Sequence, residues 1–427
     1  SFNGLLSFRY SFVNTISGST ITPHYHMAGN SVLMLYQSGN SIVVGTKDGL
    51  DIYDCPTGKV RNEFRTDLSD ILSMCVLDRN NLLAFSKNSG LTVIERKSGV
   101  RKPFDTNSVL HSLINQNSIN TKLVNAKDGR IFILNIDGYS YYYDPETDQA
   151  QHFAFGLNKN EYVEPLYVDN NSINYFISQT TLYELDMSSM QTRSLFVLEE
   201  PVSCAVYGGN SRIYYCQSNR ILEFDPSRSS FREVGLLGAD NGIIQCIIMD
   251  MECKLWLATA SSWLINLDPE TGEYTLFSKQ LIDNNNFVNK TQLVSDDGIL
   301  FLSGATGVIM IDPKGYKPND FENVSVSLAS VVVDDKLAVS SRDSVLVLPQ
   351  SYTVATCNMF VSQPNPSTSV KIHYILKRKI GFPIIHQEYT YSTSFNLGHL
   401  SPGKYTLYSS VLKKGGWSEP EKLLEIS

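Results

Sequence analysis

The chain has 427 residues, 42% hydrophobic and 18% charged, with a formal net charge of −8. These values describe an ordinary folded protein too long for one compact core, and they argue against DNA or an anionic membrane as its main partner. Seven cysteines without a C-x-x-C pair exclude a zinc ribbon or a thioredoxin-like redox site, and no run approaches the ~18 apolar residues of a membrane span.

In chain order, residues 1–30 come first. They hold the strand-like run Leu5-Leu6-Ser7-Phe8-Arg9-Tyr10-Ser11-Phe12, which lies outside the pattern that follows. From about residue 31 one phrase recurs. A β-branched and aromatic run, a short polar turn and a second run lead to Asp-Pro or a relative of it. The clearest copies are Tyr143-Asp144-Pro145, Phe224-Asp225-Pro226, Leu267-Asp268-Pro269-Glu270-Thr271-Gly272 and Ile311-Asp312-Pro313. Weaker copies stand at Tyr53-Asp54-Cys55-Pro56-Thr57-Gly58, Glu95-Arg96-Lys97-Ser98-Gly99 and Leu185-Asp186-Met187. Their spacing of roughly 39 to 49 residues is the period of a four-stranded propeller blade. Proline cannot donate to a ladder and glycine accepts positive φ, so Asp-Pro-x-Thr-Gly ends one strand and starts the next.

The sixth copy gives the template. Its strands are predicted at Ile243–Asp250, Leu255–Thr259, Trp263–Leu267 and Glu273–Phe277. The seventh copy, about 287–313, shows only three strands. A ring left open there would expose a sheet edge. Residues 1–30 are therefore expected either to supply the closing strand or to be a linker.

Beyond about residue 320 the period stops. Val324–Leu328, Lys371–Leu376 and Tyr405–Val411 alternate, and turn clusters such as Leu400-Ser401-Pro402-Gly403-Lys404 separate such runs. Short strands with spaced turns indicate a small sandwich. The expected fold is all-β: a seven-bladed β-propeller over 1–320, then an Ig/fibronectin-like β-sandwich over 321–427. No long amphipathic helix is expected.

These features resemble the periplasmic sensor region of bacterial hybrid two-component regulators. Ile247-Ile248-Met249-Asp250 through Thr271-Gly272 follows the regulator-propeller repeat. Leu400-Ser401-Pro402-Gly403-Lys404-Tyr405 follows the Leu-x-Pro-Gly-x-Tyr element of the Y_Y_Y domain. The pattern departs in places: only Trp256 keeps the blade tryptophan, and Tyr389-Thr390-Tyr391 only loosely echoes Tyr-x-Tyr-x-Leu. The resemblance implies a periplasmic ectodomain, a homodimer, and a parent anchored in the inner membrane C-terminal to this chain. It implies an oligosaccharide ligand and no direct contact with nucleic acid.

No catalytic, cofactor or P-loop motif is present. The chain is read as a non-enzyme without cofactor. His24 and His26 are too few for a closed metal site, and His111 and His152 read as surface residues. The loops from second to third strands gather on one face of a propeller. They nominate Lys47, Lys87, Asn135, Tyr139, Gln179, Arg220 and Trp263 as ligand-binding residues. Sugar faces pack on aromatic rings, and sugar hydroxyls need amide and charged partners. The competing reading places Tyr139 and Trp263 in third strands, packed between blades. Tyr141-Tyr142-Tyr143 should divide between the two faces of its sheet. Trp256 should be structural, and Trp417 part of the sandwich core or a hinge. A protein-binding scaffold and, further off, a propeller lyase are the alternative functions.

Overall fold

The computed structural model describes residues 12–16, 31–86, 88–113, 120–126, 128–136, 138–157, 161–167, 173–238, 242–277, 291–304, 307–316, 323–340, 345–363, 368–381, 384–413 and 416–427. It divides into two compact units, residues 1–274 with 279–316, and residues 275–278 with 317–427.

The first unit is built from seven four-stranded antiparallel sheets, so the expected seven-bladed all-β architecture is observed. Each sheet starts with an inner strand: Val32–Ser38, Ile71–Val76, Lys122–Asn125, Glu164–Tyr167, Cys204–Tyr207, Ile244–Met249 and Gln292–Val294 in blades 1 to 7. The remaining strands step outward in sequence order. Blade 7 is the exception. Its inner three strands end at Gly307–Ile311, and its outer strand is Val13–Ile16, paired as Val13↔Ile311 and Ile16↔Val308. Residues 1–30 thus supply the closing strand, C-terminal to the run anticipated for it. That run, apart from Phe12, lies outside the described residues, as do His24 and His26.

The Asp-Pro phrase has a physical reason. The Asp carboxylate accepts the amide N–H two residues on at Asp144, Asp186, Asp225, Asp268 and Asp312. The residue four after the Asp, or after Glu95, sits in the left-handed region at Gly58, Gly99, Asp148, Met190, Ser229 and Gly272. In blades 1, 2, 4 and 6 its N–H returns to the carbonyl of the first residue at 2.8 Å. Glycine is favoured at that step and is present in three of the six blades. The others carry Asp148, Met190 and Ser229 at φ 52°, 55° and 50°.

Apolar side chains of neighbouring sheets interlock. Val43, Leu50 and Phe64 of blade 1 meet Met74, Leu82 and Ile94 of blade 2. Ring closure repeats this with Val44 and Tyr53 against Phe301 and Met310, and Tyr53 meets Phe301 edge-on at 5.7 Å. The tyrosine run divides as strand alternation requires: Tyr141 and Tyr143 pack toward blade 2, Tyr142 toward blade 4. Trp256 is 1% exposed and structural.

In the second unit one sheet runs Lys336–Ser340, Ser325–Val333, Ala355–Ser362, Ser394–Asn396. The other runs Val345–Leu346, Glu421–Ile426, Tyr405–Lys413, Ile372–Arg378, Ile384–Thr390. Alternation sends Val326, Leu328, Val331 and Val333 into a shared core with Tyr374, Phe395 and Leu407. The Leu-x-Pro-Gly-x-Tyr element is a corner. The Tyr405 hydroxyl donates to the Ser401 carbonyl, and the Arg378 guanidinium donates to the Pro402 carbonyl at 2.8 Å. Trp417 is not part of the sandwich core. It is 40% exposed and lies edge-on to Tyr389 and His373, which stack on each other at 3.9 Å. Among the described residues the only α-helix is the short Val109–Leu113, and no helix is long and apolar enough to cross a membrane.

Candidate functional site

The inner strands surround a channel of about 1030 Å³ in the first unit. One end can be located from main-chain hydrogen bonds. Lys47 N–H donates to the Ser31 carbonyl, Val202 N–H to the Gln179 carbonyl, and Ala260 N–H to the Ile243 carbonyl. The second-to-third-strand loops therefore sit where the inner strands begin, and this end is here called the entry.

At the entry the lining is polar. Lys122, Tyr162, Glu164, Gln179, Gln245 and Gln292 stand there, with the Ser203 and Thr291 hydroxyls beside them. Lys122 of blade 3 faces Glu164 of blade 4 at 3.6 Å, both about a quarter exposed. This partly screened pair joins neighbouring blades. Deeper in, Leu33, Leu35, Leu123 and Leu166 make the wall apolar. At the far end stand Gln37, Asn125 and Asp296, and the Asp296 N–H donates to Gln37 Oε1 across the boundary of blades 7 and 1. Cys75, Cys204 and Cys246 line the wall as free thiols, and burial raises the Cys75 thiol above its ordinary range.

A β-bulge shapes this wall. In blades 1, 2, 4 and 6 the pairing of inner and second strands skips one inner residue: Leu33, Leu72, Leu166 and Gln245. A bulge leaves its extra residue unpaired and re-aims it. Blades 1, 2 and 4 place leucine there. Blade 6 places an amide, and its Oε1 is buried without a hydrogen-bond partner among the described residues.

Of the seven residues nominated from sequence, Gln179 lines the channel. Asn135 is spent on the main chain of the segments that lead into the inner strands of blades 3 and 4. It adopts φ 65°, donates to the Asn120 and Val163 carbonyls, and accepts the Val163 N–H. Lys47 ties blades 1 and 2 through its main chain, its carbonyl accepting the Leu68 N–H. Arg220 pairs with Glu233 at 2.9 Å. Tyr139 is half exposed, against His152. Trp263 is buried, and its main-chain N–H donates to Thr259 Oγ1. Lys87 lies outside the described residues. Lys122, Glu164, Gln245 and Gln292 were not nominated. The signal for one of them existed: Gln245 is a lone amide inside Ile243-Ile244-Gln245-Cys246-Ile247-Ile248.

No family model matches the chain, and no curated protein matches it. Solved structures do. Virginiamycin B lyase from Staphylococcus aureus is 10% identical with a TM-score of 0.50, covering 70% of this chain and 97% of that one. The extracellular domain of a proposed hybrid two component system from B. thetaiotaomicron is 12% identical with a TM-score of 0.48, covering 92% of this chain and 67% of that one. A second such domain from that organism is 15% identical with a TM-score of 0.49, covering 98% of this chain and 59% of that one. At these identities the lyase likeness speaks for the propeller fold alone.

Proposed function

We propose that the chain is the extracytoplasmic, ligand-sensing part of a two-component regulator, and that its propeller binds an oligosaccharide at the channel entry. One observation supports this reading most. Enclosed amides, hydroxyls, a paired lysine and glutamate, and the half-buried ring of Tyr162 converge where the inner strands begin. Sugar hydroxyls both donate and accept, and such a mixed rim matches them. The repeat phrase and the Leu-x-Pro-Gly-x-Tyr corner support the signalling context through their resemblance to regulator ectodomains. A dimer whose geometry shifts on binding would carry the signal. The ligand biases that equilibrium only by binding one arrangement better than the other.

The test is a thermal-shift screen of the purified chain against plant and host oligosaccharides. A ligand at about a hundred times its Kd adds about 2.7 kcal/mol of stability. Failure of every oligosaccharide to raise the melting temperature sinks the reading. Cleavage of a bound oligosaccharide, detected by mass spectrometry, would replace sensing with the lyase or hydrolase alternative.

A further inference from the structure

We infer that the channel entry selects uncharged glycans over uronate-bearing ones; this rests on the oligosaccharide reading above. The inference starts from the charges that the described lining carries. The charged residues among the described channel lining are Lys122, Glu164 and Asp296. The lysine is paired with Glu164 across the blade boundary. Asp296 at the far end leaves the described lining with one more negative than positive charge. A ligand carboxylate entering here would compete with Glu164 for Lys122 and meet a net negative wall. Like-sign crowding and the loss of hydration both oppose it.

What remains is neutral hydrogen-bonding capacity, and it is of both kinds. Gln292 Oε1 accepts the Cys246 thiol at 3.5 Å, and the amide of this lining residue still carries two N–H donors. Gln245 carries the opposite atom, an acceptor just behind the channel surface that a turn of the side chain would bring to a ligand. The bulge between Ile244 and Cys246 sets its side chain at the wall, where Oε1 is buried and unpartnered. A buried acceptor without a donor is costly, and a hydroxyl group relieves it where a carboxylate oxygen cannot. Blades 1, 2 and 4 fill the equivalent bulge with Leu33, Leu72 and Leu166, so the fold itself does not require an amide there.

The measurement is calorimetric titration of the full chain with two matched sets: neutral β-1,4-linked gluco-, manno- and xylo-oligosaccharides, and oligogalacturonates. The expected result is that at least one neutral series binds about tenfold or more tighter than any oligogalacturonate. Gln245→Leu, which copies blades 1, 2 and 4, should keep the melting temperature and weaken neutral binding about tenfold. Should that variant fold poorly, the neutral-to-acidic ratio of the unaltered protein carries the test. Tighter binding of oligogalacturonate overturns this inference and leaves the oligosaccharide reading standing. Neutral binding unchanged in a well-folded Gln245→Leu protein also overturns it. Absence of binding to both series overturns this inference, while the oligosaccharide reading falls only if the wider thermal-shift screen fails as well.

Discussion

Blades 5 and 6 use the same backbone with different residues. In blade 6 the first hairpin begins at Asp250. Its Oδ1 accepts the N–H groups of Glu252 and Lys254, and its Oδ2 accepts the Trp256 indole N–H at 2.8 Å. In blade 5 the matching position is Gly208, and the work passes to Asn210. Asn210 Oδ1 accepts the Arg212 N–H, and its Nδ2 donates to the Tyr214 hydroxyl at 2.7 Å. Both hairpins turn through a left-handed residue, Cys253 or Ser211. Both then pair a cation with the Asp of the next turn: Lys254 with Asp268, Arg212 with Asp225. The blade needs a polar cap on the turn and a partner for a large buried ring. It does not need a particular pair of residue types.

The sharpest break comes from removing the ring. Trp256 is 1% exposed and has Phe12 and Tyr316 beside it at 6.1 and 5.8 Å. Trp256→Ala should cost about 3–5 kcal/mol in denaturant unfolding, because the cavity cannot fully collapse. Tyr214→Phe in blade 5 keeps the packing and loses one hydrogen bond, so it should cost only about 1 kcal/mol. If the two cost the same, the ring's bulk is not what blade 6 depends on. Asp250→Ala falls between them, at about 2 kcal/mol, because it strands a buried indole N–H.

A subtler test exchanges the two solutions. A Cβ on Gly208 would lie 2.5 Å from Met249 Sδ and 2.7 Å from Asn210 Oδ1. The amide thus occupies space that an aspartate would need. Gly208→Asp alone should destabilise by about 1–3 kcal/mol through overpacking. Combined with Asn210→Gly it should recover at least about 1 kcal/mol, a coupling expected of residues in contact. Additive costs in the double-mutant cycle would mean that the two caps are not alternatives.

This pairing explains what could be read from sequence. The Asp-Pro phrase was legible because every blade must turn there, and the carboxylate-to-amide bond at Asp144, Asp225 and Asp268 is local. Blade 5 lacks the template's Asp at the end of its inner strand because Asn210 takes over the role of Asp250 two positions out of register. The missing strand of blade 7 was legible as an absence, since an open edge demands a partner. The site was much less so. Reading loops as binding residues overlooked that loop amides must first satisfy neighbouring backbone, as Asn135 and Asn219 do. The channel-lining polar residues sit in strands, where one amide in an apolar run carries no phrase. The bulge that places Gln245 is a matter of pairing between strands, and no local pattern announces it.

The smallest expected effect concerns acid. The Lys254 ammonium holds the Asp268 carboxyl below its ordinary range, helped by the Glu270 and Thr271 amides. In blade 5 the Ser227 hydroxyl, its N–H, and then Arg212 do the same for Asp225. A carboxyl whose folded pKa is depressed stabilises the fold above its unfolded value of about 3.9. That contribution fades as pH falls through the folded pKa, when the proton taken up breaks the turn contacts. Melting temperature should therefore be level from about pH 7 to 5 and drop below about pH 4. Asp268 borders solvent, its side chain about a quarter exposed, so its share is modest. Asp268→Asn should lower the melting temperature near neutral pH and flatten the acid limb, because the variant has no carboxylate there to lose. An acid limb parallel to that of the unaltered protein would show that the Lys254–Asp268 pair is not where blade 6 senses acid.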